Sequence, residues 1–219
     1  SYTREVLFMK KAVSIVMSAV LILLCFASCG SKGMKGTHHA EMVIKNYGTV
    51  KIELYGDQAP LTVENFVNLC NKGFYNGLTF HRYVKDFVLQ GGDPEGTGLG
   101  GCESSVKGEF SANGVKNTIK HKKGVISMAR NQFDFNSASS QFFICLKNSC
   151  SDDLDGQYAA FGKITEGMDI IDKLCADLTE SDCLPKDQQP VGHADQFRQL
   201  LRNHDDSFPL LLHLIQQAV

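Results

Sequence analysis

The chain has 219 residues, 43% of them hydrophobic, with 22 Lys and Arg against 24 Asp and Glu. That length suits one domain with appendages and is enough to bury a core. A net charge of −2 with no basic stripe argues against a nucleic-acid partner, and twenty glycines without a tryptophan favour a turn-rich β fold.

The first segment reads as targeting rather than fold. Met9-Lys10-Lys11 is a positive start, Ala12–Phe26 is an apolar run, and Phe26-Ala27-Ser28-Cys29-Gly30 puts small residues before a cysteine. The run has the length of a secretory core and is short for a bilayer span. It resembles a bacterial lipoprotein signal with Cys29 as the lipidated residue; an uncleaved membrane anchor is the alternative. Residues 1–8 read as an extension ahead of Met9. The expected organisation is a signal over 1–29, a Gly/Lys/Ser linker over 30–39 that includes His38 and His39, a folded domain over 40–191, and an atypical tail over 192–219. The folded part is expected outside the cytoplasm, tethered to a bacterial cell membrane or secreted.

In chain order, Glu41–Asn46 and Thr49–Tyr55 flank Asn46-Tyr47-Gly48 and predict a hairpin. Pro60 and Thr62 open a helix whose Val63, Phe66, Val67 and Cys70 form one apolar stripe, ended by Gly73. Thr79–Tyr83 and Phe87–Gln90 predict two paired strands, followed by a glycine-dense turn region. Cys102–Lys123 is polar and irregular. Gly124–Ala129, Ser140–Leu146 and Ala159–Ile164 predict three further strands, and Gly167–Leu178 a second helix. Phe197, Leu200 and Leu201, then Leu210–Ile215, predict one or two amphipathic helices in the tail. Strands joined by turns rather than by helical crossovers argue for an antiparallel barrel.

Several motifs carry less than their spelling suggests. Gly96–Gly101 matches GxGxxG, but no apolar helix follows it, so it is not read as a nucleotide site. No GxSxG, HExxH or EF-hand pattern occurs, and His81 on an apolar strand is expected to be packed. Six cysteines lie beyond the signal, without zinc spacing; Cys70 and Cys145 are expected to be packed thiols, and no bridge is assigned. No metal and no cofactor are expected. What remains is Arg82 among aromatics, the amides of Gln90 and Gln141, and apolar walls at Phe87 and Val88. This is one fixed cation, hydrogen-bonding amides and a greasy groove.

The segments FHRYVKDFVLQGGDPEGTGLGG, GVISMAR, SSQFFICL, LDGQYAAFGKI and EGMDII resemble, in order, the cyclophilin-type peptidyl-prolyl cis–trans isomerases. The resemblance covers about Glu41–Leu178. It implies a mainly β fold, a closed eight-stranded antiparallel barrel capped by two α-helices, with the groove on its outside. It further implies Arg82 as the catalytic cation and Phe87, Phe143 and Leu154 as the proline pocket, with Val88 beside them. Gln90 and Gln141 would bond the substrate backbone. Ala129 and Arg130 would line the groove beside the preceding residue, and Tyr158 would offer a ring and a hydroxyl. The implied partners are proline-containing polypeptides, met by a monomer; the rivals are a non-catalytic proline-peptide module and a hydrophobic-ligand carrier. Asp153 stands where cyclosporin-sensitive relatives have tryptophan, so weak inhibitor binding is expected. From Gly192 onward the chain does not resemble the family's closing strand, so an imperfectly closed, less stable barrel is expected.

Overall fold

A computed structural model describes residues 33–178 and 197–202. The signal segment, Cys29 and most of the tail lie outside the described residues. Eight strands form one antiparallel sheet: β1 (Thr37–Ile44), β2 (Gly48–Tyr55), β3 (Phe80–Val84), β4 (Val88–Gly91), β5 (Val125–Met128), β6 (Phe142–Cys145), β7 (Ala160–Glu166) and β8 (Phe197–Arg202). Their order is β3-β4-β6-β5-β7-β2-β1-β8. Among the described residues, two helices accompany them, α1 (Pro60–Asn71) and α2 (Met168–Asp177), with a single helical turn at Ser151–Leu154.

The hairpin, both helices and every predicted strand pair stand where the pattern placed them. Three expectations are corrected. Phe197–Arg202, read as helical, is a strand: it pairs antiparallel with β1 from Ile44↔Phe197 to His39↔Arg202. A short apolar segment fits either period, and the hydrogen-bonding edge of β1 decides it. Among the described residues the barrel is not closed by hydrogen bonds, because the ladder ends at β3 on one side and β8 on the other. His38 and His39 lie in β1 rather than in a linker, and the first of them bonds the Lys35 carbonyl at 2.8 Å.

Alternation sets the core. Ala40, Met42 and Ile44 of β1 face inward beside Ile52 and Val50 of β2, and all are buried. The stripe of α1 plugs this interior: Phe66 is fully buried, with the Phe161, Tyr75 and Phe142 rings 5.0, 5.2 and 5.6 Å away. β5 and β6 are buried on both faces. Their inner residues Ile126 and Ile144 join the main core, while Val125, Phe143 and Cys145 join a second apolar cluster on the other face. That second cluster is what the groove is built on.

One device holds α1 in place. The helix has no side-chain cap of its own. Glu109, buried and distant in sequence, accepts from the Leu61 N–H at 3.0 Å, the Thr62 N–H at 2.8 Å and the Thr62 hydroxyl at 2.7 Å. It thereby satisfies donors that a helix start leaves orphaned and places negative charge at the positive end of the helix. Glu109→Ala is expected to cost about 1–3 kcal/mol in urea denaturation. Glu109→Gln should recover part of it, and an unchanged midpoint for the alanine variant would refute the role.

Among the described residues, five cysteines are free thiols: buried Cys70, Cys145 and Cys150, and half-buried Cys102 and Cys175. Burial pushes the Cys70 and Cys145 thiols up, as expected of packed, unreactive sulfur.

Candidate active site

Register brings the predicted residues to one face. Directly opposed residues in an antiparallel pair share a face. Gln90 opposes both Arg82 and Phe143, Val88 opposes Cys145, and Ser127 opposes Phe143. Arg82, Val88, Gln90, Phe143 and Ser127 therefore lie outside the sheet, while Leu89 and Ile144 point to the core. Arg82 is exposed, whereas Val88, Phe143 and Leu154 are buried together, with half-buried Phe87, Ala129 and Tyr158 packed against them. The three-residue connection Lys85–Phe87 places Phe87 at the rim, with Asp86 in the left-handed region at φ 57°.

A hydrogen-bonded chain orders the polar side. Arg82 donates from Nη1 to Gln90 Oε1 at 3.1 Å. Gln90 Nε2 donates to Gln141 Oε1 at 2.8 Å, and Gln141 Nε2 donates to the carbonyls of Gly98 at 3.0 Å and Gly100 at 2.7 Å. The backbone N–H of Ala129 donates to the Gln141 carbonyl at 2.9 Å. Both glutamines thus have their amide orientation fixed by what each end touches.

Asp93, which the sequence reading passed over, explains the glycine-dense loop. It is 1% exposed, and its carboxylate accepts from the N–H groups of Glu95, Gly98 and Gly100 and from the Thr97 hydroxyl. The loop wraps a carboxylate of its own chain rather than a phosphate. Gly98 sits at φ 87°, and a Cβ at Gly100 would collide with Asp93 Oδ1, so glycine is required at both. The loop carbonyls then fix Gln141, and Gln141 fixes Gln90 and Arg82.

His121 was also missed. It is 1% exposed and stacks on Phe143, centroids 6.2 Å apart at 22°. Nδ1 lies 2.9 Å from Asp155 Oδ1, and Nε2 lies 2.9 Å from Ser127 Oγ. Asp155 also accepts from the His121 N–H at 2.9 Å and pairs with Lys120 at 3.1 Å. The Asp-His-Ser sequence of contacts looks like a nucleophile triad, but Ser127 is wholly buried and no substrate can reach it. Its work is to support Phe143. A lone histidine in a polar stretch gave no periodic signal that would have revealed this.

These buried groups dictate a pH dependence. Burial lowers both His81 and His121 below the ordinary 6.5. Burial works to raise Asp93 and Asp155, but their N–H donors, with His81 near the first and His121 and Lys120 on the second, hold both below the ordinary 3.8. In every case the unfolded chain binds the proton more readily than the folded one. Stability is therefore full at neutral pH, falls as pH drops below 6.5, and falls again below 3.8. Urea midpoints measured from pH 8 to 3 should show both declines, and Asp93→Asn should shrink the lower one. Stability that rises on acidification would contradict the assignment.

Arg130 closes the groove's other side. Its guanidinium lies 4.7 Å from the Tyr158 ring centroid, and Tyr158 meets Phe143 edge-on at 5.7 Å and 83°. All ten groove positions expected from the sequence are thus joined by contact or hydrogen bond. A separate cleft of about 570 Å³, lined by Tyr83, Lys85, Lys123 and Asp172 among others, contains none of them.

Residues 39–195 match the family described as cyclophilin type peptidyl-prolyl cis-trans isomerase/CLD. A peptidyl-prolyl cis-trans isomerase of Helicobacter pylori is 45% identical over 139 residues, 62% of this chain and 80% of that protein. A peptidyl-prolyl cis-trans isomerase-like 2 protein of Rhizopus delemar is 43% identical over 133 residues, 60% of this chain but 24% of that longer protein. The crystal structure of a Cryptosporidium parvum cyclophilin type isomerase superposes with a TM-score of 0.63 at 29% identity, covering 78% of this chain and all of the other. The same Cryptosporidium protein has been solved in the presence of the dipeptide Ala-Pro. The match of family, relatives and fold places this chain among the cyclophilin-type peptidyl-prolyl cis–trans isomerases.

Proposed function

We propose that the chain accelerates X–Pro rotation in polypeptides by stabilising the twisted amide with Arg82. Amide resonance opposes rotation by about 18–20 kcal/mol. At mid-rotation the prolyl nitrogen recovers its lone pair and accepts a hydrogen bond that neither planar form accepts as well. A guanidinium donates and never accepts, so it favours the twisted form over both end states. Gln90 holds Arg82 by Nη1, leaving Nε and Nη2 for the substrate. The half-buried Phe87, with Phe143 and Leu154 beneath, receives the proline ring, and Gln90 and Gln141 bond the substrate backbone. The single observation that carries this reading is an exposed Arg82 on the same sheet face as Phe143, linked through Gln90. A proline-tetrapeptide isomerisation assay on wild type and Arg82→Ala tests it; peptide binding without turnover would make the chain a binding module instead.

The proposed setting is the outer side of a bacterial cell membrane, with a monomer tethered through lipidated Cys29 and acting on exported clients. The support is the small-residue run before Cys29 and the apolar segment ahead of it. Labelled palmitate should enter the protein and be lost in Cys29→Ala; label retained by the variant would defeat the tether.

A further inference from the structure

Arg130 is held in an unusual way. Its guanidinium lies 4.7, 4.8 and 5.4 Å from the ring centroids of Tyr158, Phe135 and Phe110. Nε donates to the Gln157 carbonyl at 3.1 Å, and Nη1 donates to those of Asn131 at 2.8 Å and Gln132 at 3.2 Å. A guanidinium has five N–H donors. Three are used, and both on Nη2 have no partner among the described residues. Arg130 is also in none of the four ion pairs there, and the exposed Asp152 and Asp153 do not reach it. The result is a half-buried, immobilised positive charge with a free edge and no counter-ion among the described residues. Three rings remove much of its water, which raises the value of an incoming anion.

The cage stands on the groove rim. Tyr158, one of its walls, packs edge-on against Phe143. Phe143 and the guanidinium are therefore at most about 10 Å apart, a span an extended chain covers in about three residues. We infer that Arg130 is a specificity determinant that favours substrates carrying Asp or Glu within three residues of the proline, on one side of it. This rests on the isomerase reading above and deepens it. An exposed charge would discriminate weakly, but a guanidinium already fixed in place gives up no rotamer freedom on pairing.

The test is kcat/KM of the full chain on proline peptides bearing Glu, Gln or Lys at each of the three positions before and after the proline. At low salt, Glu should exceed Lys by about five- to tenfold on one side, and the ratio should shrink at high salt. In Arg130→Met, which keeps apolar contact with the rings, and in Arg130→Gln, the ratio should fall to about one whatever happens to the absolute rate. The ratio is internal to each variant, so loss of folded protein does not alter it, and the wild-type salt dependence stands if neither variant folds. A wild-type ratio near one at every position, or a preference that survives both variants, overturns the inference. Absence of turnover on every peptide overturns the isomerase reading instead, and the inference with it.

Discussion

Arg82→Ala is expected to lower kcat on a proline tetrapeptide by about 10²–10³, or about 2.7–4 kcal/mol, the scale seen when one preorganised donor is taken from a transition state. The loss belongs in kcat because the bond to the prolyl nitrogen exists only while the amide is twisted. Arg82 is exposed and makes one side-chain hydrogen bond, so stability should stay within about 0.5 kcal/mol of wild type. Arg82→Lys should not rescue. An ammonium is a point charge without the planar fork, so it cannot bond Gln90 Oε1 and face the substrate nitrogen in the same geometry. Retention of more than about a tenth of wild-type kcat in Arg82→Ala, well short of that scale, would remove the proposed mechanism.

How much of this was legible in the sequence follows from the range of each signal. Period-two and period-3.6 patterns are local, and they located the hairpin, α1, α2 and strands β3 to β7. The groove was legible because Arg82, Phe87, Val88 and Gln90 stand within nine consecutive residues, a cation and an amide beside apolar walls, and because that stretch and SSQFFICL resemble the family's segments. The failures were long-range. Glu109 caps a helix that begins about fifty residues before it, and Asp155 orients a histidine thirty-four residues away. Neither pairing leaves a mark on local periodicity. Asp93 is different: Asp93-Pro94-Glu95-Gly96-Thr97-Gly98 is an acceptor followed by small turn residues, and an Asx-type turn was readable there. The strand at Phe197–Arg202 was missed because six residues fit two periods, and only the edge of β1 separates them. Arg130 was placed in the groove, but its cage needs Phe110 and Phe135, which lie in loops with no pattern.

Phe143→Ala should act on the other kinetic constant. Phe143 is 4% exposed, lies between the Tyr158 edge and the stacked His121 ring, and shares its cluster with Val88 and Leu154. Truncating a buried phenylalanine costs about 3–5 kcal/mol, and here the cavity opens directly beneath the proposed proline seat. Phe143→Leu restores most of the lost volume without the flat ring, so it should fold well and still bind proline poorly. Contact between the ring and the pyrrolidine is present in the planar and twisted forms alike. Its loss therefore removes uniform binding, raising KM about tenfold or more in Phe143→Leu with a much smaller change in kcat. Opposite signatures at two residues facing one groove would separate the group that recognises proline from the group that turns it. If Phe143→Leu lowers kcat as far as Arg82→Ala while KM stays put, the apolar wall acts in the twisted state itself, and the division of labour argued from this geometry is wrong.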